Sequence, residues 1–186
     1  MLKSINPDVV LCSPLLRAIE TAYWSTKDLK KTVHVVPYIG EIPSYPPTNN
    51  PRDISKQKEN LQRLDIKKVS FELLENVSGY KTPSFKNFMC WLEENIQNII
   101  SANNKEASEL NIAVFSHANF LRKSLEKCQT EKCVLRNNMC ILQSFDIDQN
   151  YMLKLVDSVS VFDGFRLNTD NTEVKDIGLD RCTKVQ

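Results

Sequence analysis

The sequence has no excess of charge, no long apolar run and no leader pattern at its start. Its 24 lysines and arginines nearly balance 23 aspartates and glutamates, for a formal net charge of +1. This balance argues against a large basic surface for nucleic acid or anionic lipid. No apolar stretch approaches the roughly 20 residues that cross a bilayer, and the N-terminus lacks the charged-then-apolar order of a signal peptide. We therefore expect a cytoplasmic protein with no nucleic-acid or membrane partner.

The composition is that of an ordinary globular domain, with 41% hydrophobic and 25% charged residues in a chain of 186. Six cysteines without a leader are expected to be reduced thiols. Cys128, Cys133 and Cys140 are a candidate metal or redox site, but their spacing matches no common zinc pattern. No cofactor is therefore predicted.

The most informative segment runs from Asp8 to Ala22. A buried strand is predicted over Val9–Cys12 and ends at Ser13-Pro14, a favoured N-cap followed by a favoured first helical residue. The predicted helix carries Arg17 about one turn in. A helix start at the carboxyl end of a strand is a natural anion site, and an arginine there adds a fork of donors.

Further along the chain, predicted strands and helices alternate. Apolar and β-branched runs indicate strands over 33–38 and 111–116, and helical spacing indicates helices over 53–64, 85–100 and 120–127. Five of the eight prolines fall between Pro37 and Pro51, which predicts a long surface loop, a candidate lid. Segments 139–147 and 151–161 are typical of a hairpin.

This alternation predicts an α/β fold whose sheet is mostly parallel, with an antiparallel hairpin at one edge. The domain is predicted to occupy residues 1–165, and the weakly patterned polar segment 166–186 is predicted to be a C-terminal tail.

Three of the predicted strands lead into residues suited to an active site. Because ligands bind beyond the carboxyl ends of the strands in such sheets, Arg17, Glu41 and His117 are expected to converge. Arginine binds phosphate or carboxylate, histidine exchanges a proton, and glutamate serves as an acid or base. Each residue alone is more often an ordinary surface or core residue. It is their arrival at corresponding strand ends that predicts a site.

The segments SPLLRAIETA and VFSHANFLRK resemble the motifs of the histidine phosphatase superfamily, also called phosphoglycerate mutase-like. The similarity runs from about Pro7 to Phe162, and the apolar run after Asn137-Asn138 resembles the last core strand of that family. The resemblance implies a three-layer α/β/α sandwich. It also implies phosphoryl transfer from a phosphorylated small molecule or phosphoprotein to a nucleophilic histidine.

The resemblance also implies roles for individual residues. Arg17 would hold the phosphoryl oxygens, His117 would share them and stabilise transition-state charge, and Glu41 would protonate the leaving oxygen. Ala118 stands where the family usually has glycine. The implied phosphate-binding set is Arg17, His117, Ser13 and the main-chain amides of Ala118 and Asn119.

One family motif is missing from this sequence. The family opens with a strand ending in Arg-His-Gly, whose histidine is the nucleophile, whereas this chain has only His34 and His117. His117 matches the supporting histidine, and His34 lacks a neighbouring arginine or glycine and is expected on an exposed strand face. We therefore predict that the chain as written is inactive. It is either part of a phosphatase whose true start lies upstream of Met1 or a non-catalytic pseudophosphatase that binds phosphate or a partner.

The missing strand also leads to an expectation about stability. In the family this strand is central, and losing about five buried apolar side chains at roughly 1.5–3 kcal/mol each compares with a whole stability margin of about 5–15 kcal/mol. Two inner strands are expected to have bare edges. We predict that the isolated chain folds poorly.

Overall fold

A computed structural model describes residues 6–43, 47–126, 139–147, 153–167 and 174–181. Within these ranges, strands and helices alternate up to residue 126, except that α3 and α4 are consecutive, and the later elements are strands. The strands are β1 (Val9–Cys12), β2 (Val33–Val35), β3 (Val69–Ser70), β4 (Ile112–Phe115), β5 (Met139–Ile147), β6 (Leu153–Leu167) and β7 (Val174–Arg181). The helices are α1 (Leu16–Thr26), α2 (Ile54–Arg63), α3 (Glu72–Glu75), α4 (Phe85–Asn103) and α5 (Ala118–Glu126).

The first four strands form a parallel sheet in the order β3-β2-β1-β4. β1 pairs with β2 on one side and with β4 on the other, and all four of its residues are buried. The mixed α/β fold and its parallel sheet are as the sequence predicted.

The residues of β1 alternate between two hydrophobic clusters, one on each face of the sheet. Val10 and Cys12 belong to a cluster that includes Ile19 of α1, whereas Val9 and Leu11 belong to a cluster that includes Trp91 of α4. This alternation follows from the period of two in a strand. It places helices on both faces, which gives the expected three layers.

Helix α4 begins where its sequence predicted. Ser84 is its N-cap, and the backbone N–H of Asn87 donates to Ser84 Oγ at 3.3 Å. Within the described residues, no helix is both long enough and apolar enough to cross a membrane.

The predicted hairpin is present, but its place in the fold differs from the prediction. β5 and β6 pair antiparallel from Met139–Phe162 to Ile147–Leu153. With β7 they form a separate three-stranded antiparallel sheet rather than the edge of the parallel sheet. The interpretation of the run after residue 138 as a strand of the core sheet is therefore wrong, because among the described residues β5 is hydrogen-bonded to no strand of the parallel sheet. Residues Asn137 and Asn138 lie outside the described ranges.

The segment interpreted as a polar tail contains further strand. β6 continues to Leu167, and β7 pairs antiparallel with it from Val161–Arg181 to Leu167–Val174. β7 has only three apolar residues among eight, without strict alternation, and it contains Gly178, so its strand signal is weak; pairing with β6 supplies what intrinsic preference does not. The domain boundary at residue 165 stays a prediction.

The structure corrects the expectation of two bare strand edges. β1 and β4 are hydrogen-bonded neighbours, with Val9 opposite Ile112 and Cys12 opposite Phe115. Among the described residues, the open edge of the parallel sheet on this side belongs to β4, whose four residues are partly exposed. Poor folding of the chain stays a prediction, and the expected cause is now the open edge of β4 rather than two bare edges.

Candidate active site

Ser13 and His117 meet at the carboxyl ends of β1 and β4. Because these parallel strands are in register at Cys12 and Phe115, the residues that follow them are neighbours, and the N–H of Ser13 donates to the carbonyl of Phe115 at 2.9 Å. Ser13 Oγ lies 2.8 Å from His117 Nε2. Ser13 is fully buried and His117 is 7% exposed.

The structure corrects the predicted start of α1. The helix begins at Leu16 with Leu15 as its N-cap, so Ser13 is not the cap and Pro14 is not the first helical residue. Leu15 N donates to Ser13 Oγ at 3.3 Å. The hydroxyl that the sequence suggested as a helix cap is bonded to His117 instead.

Glu41 reaches the same edge of the sheet from β2. Its carboxylate oxygen Oε2 lies 3.8 Å from His117 Nδ1, and Oε1 accepts a hydrogen bond from the N–H of Ile42 at 3.0 Å. The connection is anchored to the β4 end because Ser116 Oγ donates to the carbonyl of Ile39 at 2.8 Å. The structure thus brings Glu41 and His117 together, as expected from the sequence.

Burial keeps His117 neutral near pH 7. Desolvation, followed by the positive charge of Arg17, lowers the pKa of His117 from 6.5 to about 4. Since the imidazole is neutral, its contact with Glu41 is not an ion pair, and 3.8 Å is too long for a direct hydrogen bond.

Arg17 lies in the first turn of α1, exposed and close enough to His117 to act on its pKa. Its guanidinium donates from Nη1 to the carbonyl of Thr48 and from Nη2 to Asn49 Oδ1, both at 3.0 Å. Asn49 Nδ2 in turn donates to the carbonyl of Pro43 at 3.1 Å. The proline-rich loop therefore holds the arginine.

Sequence reasoning did not identify Thr48 and Asn49 as partners of Arg17. The density of prolines marked segment 37–51 as a loop near the site, but no residue spacing connects a loop to a particular side chain 31 or 32 positions away. Such contacts depend on how the loop folds back over the sheet edge.

Ala118 and Asn119 begin α5 immediately after His117. The N–H of Leu121 donates to the carbonyl of His117 at 2.9 Å. The N–H groups of the preceding first turn have no partner within the helix, as at the start of any helix. Main-chain donors thus lie next to His117, at the place from which the predicted amide contacts would come.

His34 does not join this site. It lies in the middle of β2, paired in register with Leu11 and Ser70, and is half-buried rather than on the exposed face that its sequence context suggested. Burial lowers the pKa of His34, and Glu72 opposes that effect.

Comparison with protein families identifies the fold. The model of the histidine phosphatase superfamily (branch 1) matches residues 1–132, which include the parallel sheet, helices α1–α5 and every site residue described above. The chain belongs to the histidine phosphatase superfamily. A comparison with curated proteins and with solved structures found no significant match.

Membership in the histidine phosphatase superfamily confirms the resemblance and supports phosphatase-like or mutase-like chemistry in general. In the described part of the chain, no three His, Cys, Asp or Glu side chains are grouped to hold a metal ion. Of the three cysteines weighed as a metal site, Cys128 and Cys133 lie outside the described residues, and only the backbone of Cys140 is described.

Proposed function

We propose that this chain binds the phosphoryl group of a phosphomonoester, carried by a small molecule or a phosphoprotein, at the carboxyl edge of its parallel sheet. The observation that supports this most strongly is the convergence of Arg17, His117 and Glu41 on one edge, from three separate parts of the chain. An arginine beside a helix start is suited to phosphate oxygens.

The donors near the site are sufficient for weak binding. A guanidinium has five N–H donors, and the loop carbonyl of Thr48 and the Asn49 amide oxygen take two of those on Arg17. About two charge-assisted hydrogen bonds, at roughly 1.5–3 kcal/mol each, offset by binding costs, correspond to an affinity no tighter than about a millimolar.

We further propose that the chain as written does not hydrolyse the ester. The family chemistry implied by the resemblance needs a nucleophilic histidine, yet His34 lies inside β2 and His117 Nε2 is bonded to Ser13. Glu41 lies beside His117, which supports its proposed role as the acid for the leaving oxygen, and on this proposal a histidine supplied from upstream would complete a phosphatase. This active enzyme is the second candidate function, and the presence of Glu41 beside His117 favours it.

The first prediction concerns phosphate binding by Arg17. We expect the purified chain to bind inorganic phosphate with a Kd of about a millimolar. We expect Arg17→Ala to abolish saturable phosphate binding, because it removes the guanidinium N–H donors. An NMR titration with phosphate at low temperature measures both.

Arg63→Ala is the matched control, because it removes the same charge from an exposed position whose ion pair with Glu59 contributes little. Equal binding by wild type and Arg17→Ala would contradict the proposed site. Hydrolysis of an aryl phosphate by the wild-type chain that disappears in Arg17→Ala would contradict the proposal that the chain as written is inactive.

A further inference from the structure

The Ser13 hydroxyl is placed behind His117 rather than toward a ligand. Ser13 is fully buried, and its Oγ is already in contact with the N–H of Leu15 and with His117 Nε2. A substrate atom has no path to an oxygen enclosed in this way. Ser13 is therefore suited to act through His117, although the sequence placed it among the residues that touch phosphate.

The protons of this contact can be counted. Ser13 Oγ accepts a hydrogen bond from the N–H of Leu15, and among the described residues His117 Nε2 is its other hydrogen-bond partner. Donation to His117 Nε2 is therefore the arrangement that gives the buried hydroxyl proton an acceptor. A neutral imidazole whose Nε2 accepts carries its proton on Nδ1.

Glu41 selects the same tautomer from the other side of the ring. Its Oε2 lies 3.8 Å from His117 Nδ1. A carboxylate oxygen attracts an N–H and repels a nitrogen lone pair, so the opposite tautomer would face an unfavourable charge. Fixing an imidazole tautomer through a group on its far nitrogen is a known role of residues that support a functional histidine.

We propose that Ser13 is a positioning residue that locks His117 as the Nδ1–H tautomer, so that His117 presents Nδ1 and not Nε2 to a phosphoryl oxygen. The gap between Nδ1 and Glu41 is too long for a direct hydrogen bond, which leaves this proton available to a ligand. The statement about the phosphoryl oxygen rests on the proposed function, whereas the tautomer is a property of the free protein.

The tautomer is measured directly by NMR of the protein labelled with ¹⁵N-histidine, without any ligand. The chain has two histidines, so His34 serves as an internal reference in the same spectrum. We expect His117 of the wild type to be protonated at Nδ1, Ser13→Ala to give a mixture of both tautomers, and Ser13→Thr to restore the Nδ1–H form. A wild-type His117 protonated at Nε2 would overturn the proposal.

A phosphate titration of the same samples separates this proposal from the proposed function. We expect inorganic phosphate to shift the His117 Nδ1 signal, and Ser13→Ala to weaken binding about fivefold, the equivalent of one hydrogen bond. A change of tautomer without any phosphate binding would support the positioning role and contradict the proposed function. Unchanged tautomer in Ser13→Ala would contradict the positioning role whatever the affinity. If Ser13→Ala does not fold, the proposal is tested by whether His117 is protonated at Nδ1 in the wild type and in Ser13→Thr.

Discussion

At the scale of single residues, His117 is the side chain that burial changes most in the candidate site. It is held between the Ser13 hydroxyl, the Glu41 carboxylate and the charge of Arg17. Its pKa of about 4 means that the folded protein binds fewer protons at this position than the unfolded chain, whose histidine titrates near 6.5. Stability is therefore linked to pH through this residue.

The sign of that linkage gives a prediction. The neutral form of His117 supports folding fully above pH 6.5, and this contribution is lost as the pH falls toward 4, where the unfolded state takes up the proton first. We expect the loss to be on the order of 3 kcal/mol, since each pKa unit corresponds to about 1.4 kcal/mol. His117→Gln is expected to flatten the dependence of the unfolding free energy on pH over this range.

Urea unfolding at a series of pH values measures the effect, with His34→Gln as the control. The pKa of His34 is also lowered by burial, but Glu72 opposes the shift, so His34→Gln should flatten the curve less. Parallel curves for wild type and His117→Gln would show that His117 is not buried in its neutral form.

At the scale of elements, Gln57 connects three separate segments around the turn before α1. Its side chain is buried in α2, and Nε2 donates to the carbonyl of Pro14 at 2.7 Å and to Tyr80 Oη at 2.6 Å. Burial raises the pKa of Tyr80 to about 12, so the phenol stays protonated at any ordinary pH. α2 therefore fixes the turn that carries Ser13.

We expect Gln57→Ala to destabilise the protein by about 2–3 kcal/mol, because it leaves the buried carbonyl of Pro14 without this donor and opens a small cavity. Gln62→Ala is the control, since Gln62 is an exposed residue of the same helix, where such changes cost within about 0.5 kcal/mol. Urea unfolding compares them. Equal losses for the two variants would contradict the bridging role.

The elements that the sequence predicted correctly are those with a strong apolar period. β1 and α4 have uninterrupted patterns, and the structure places them within a few residues of the predicted bounds. β3 has only two residues and takes its conformation from pairing with β2. The true start of α1 was not predictable from the sequence either, because the sequence does not show whether the Ser13 hydroxyl caps the helix or bonds to a distant histidine.

For the candidate site, the meeting of residues at one sheet edge was predictable from the sequence, but their side-chain contacts were not. Topology alone brings Ser13, Glu41 and His117 to one edge, since parallel strands end together. The bond from Ser13 to His117 Nε2 and the loop contacts of Arg17 depend on side-chain geometry across 104 and about 31 positions, which local patterns do not encode.

At the scale of the whole molecule, the two faces of the parallel sheet are covered, and among the described residues β4 is the longer of its two edge strands, β3 and β4. All residues of β1 are buried, whereas those of β4 are partly exposed. An unpaired edge of apolar residues lowers stability and invites pairing with other chains.

We therefore expect the isolated chain to have a low midpoint temperature of thermal unfolding and to self-associate on heating. Thermal scanning with light scattering measures both. A monomer with one cooperative transition in the range of about 45–65 °C, typical of mesophilic domains, would contradict the expectation. The same scan in saturating phosphate should raise the midpoint in wild type and leave Arg17→Ala unchanged, because a ligand stabilises only the state that binds it.

The alternation of β1 between the two hydrophobic clusters has a consequence for how the site is assembled. A slip of one residue between β1 and β4 would exchange the side chains of the two clusters and displace Ser13 from His117 by about 3.3 Å. Packing of the core therefore fixes the register of β1 against β4, and with it the backbone spacing between Ser13 and His117. A molecule whose core is packed in this register therefore already holds the backbones of Ser13 and His117 at the spacing that their contact needs.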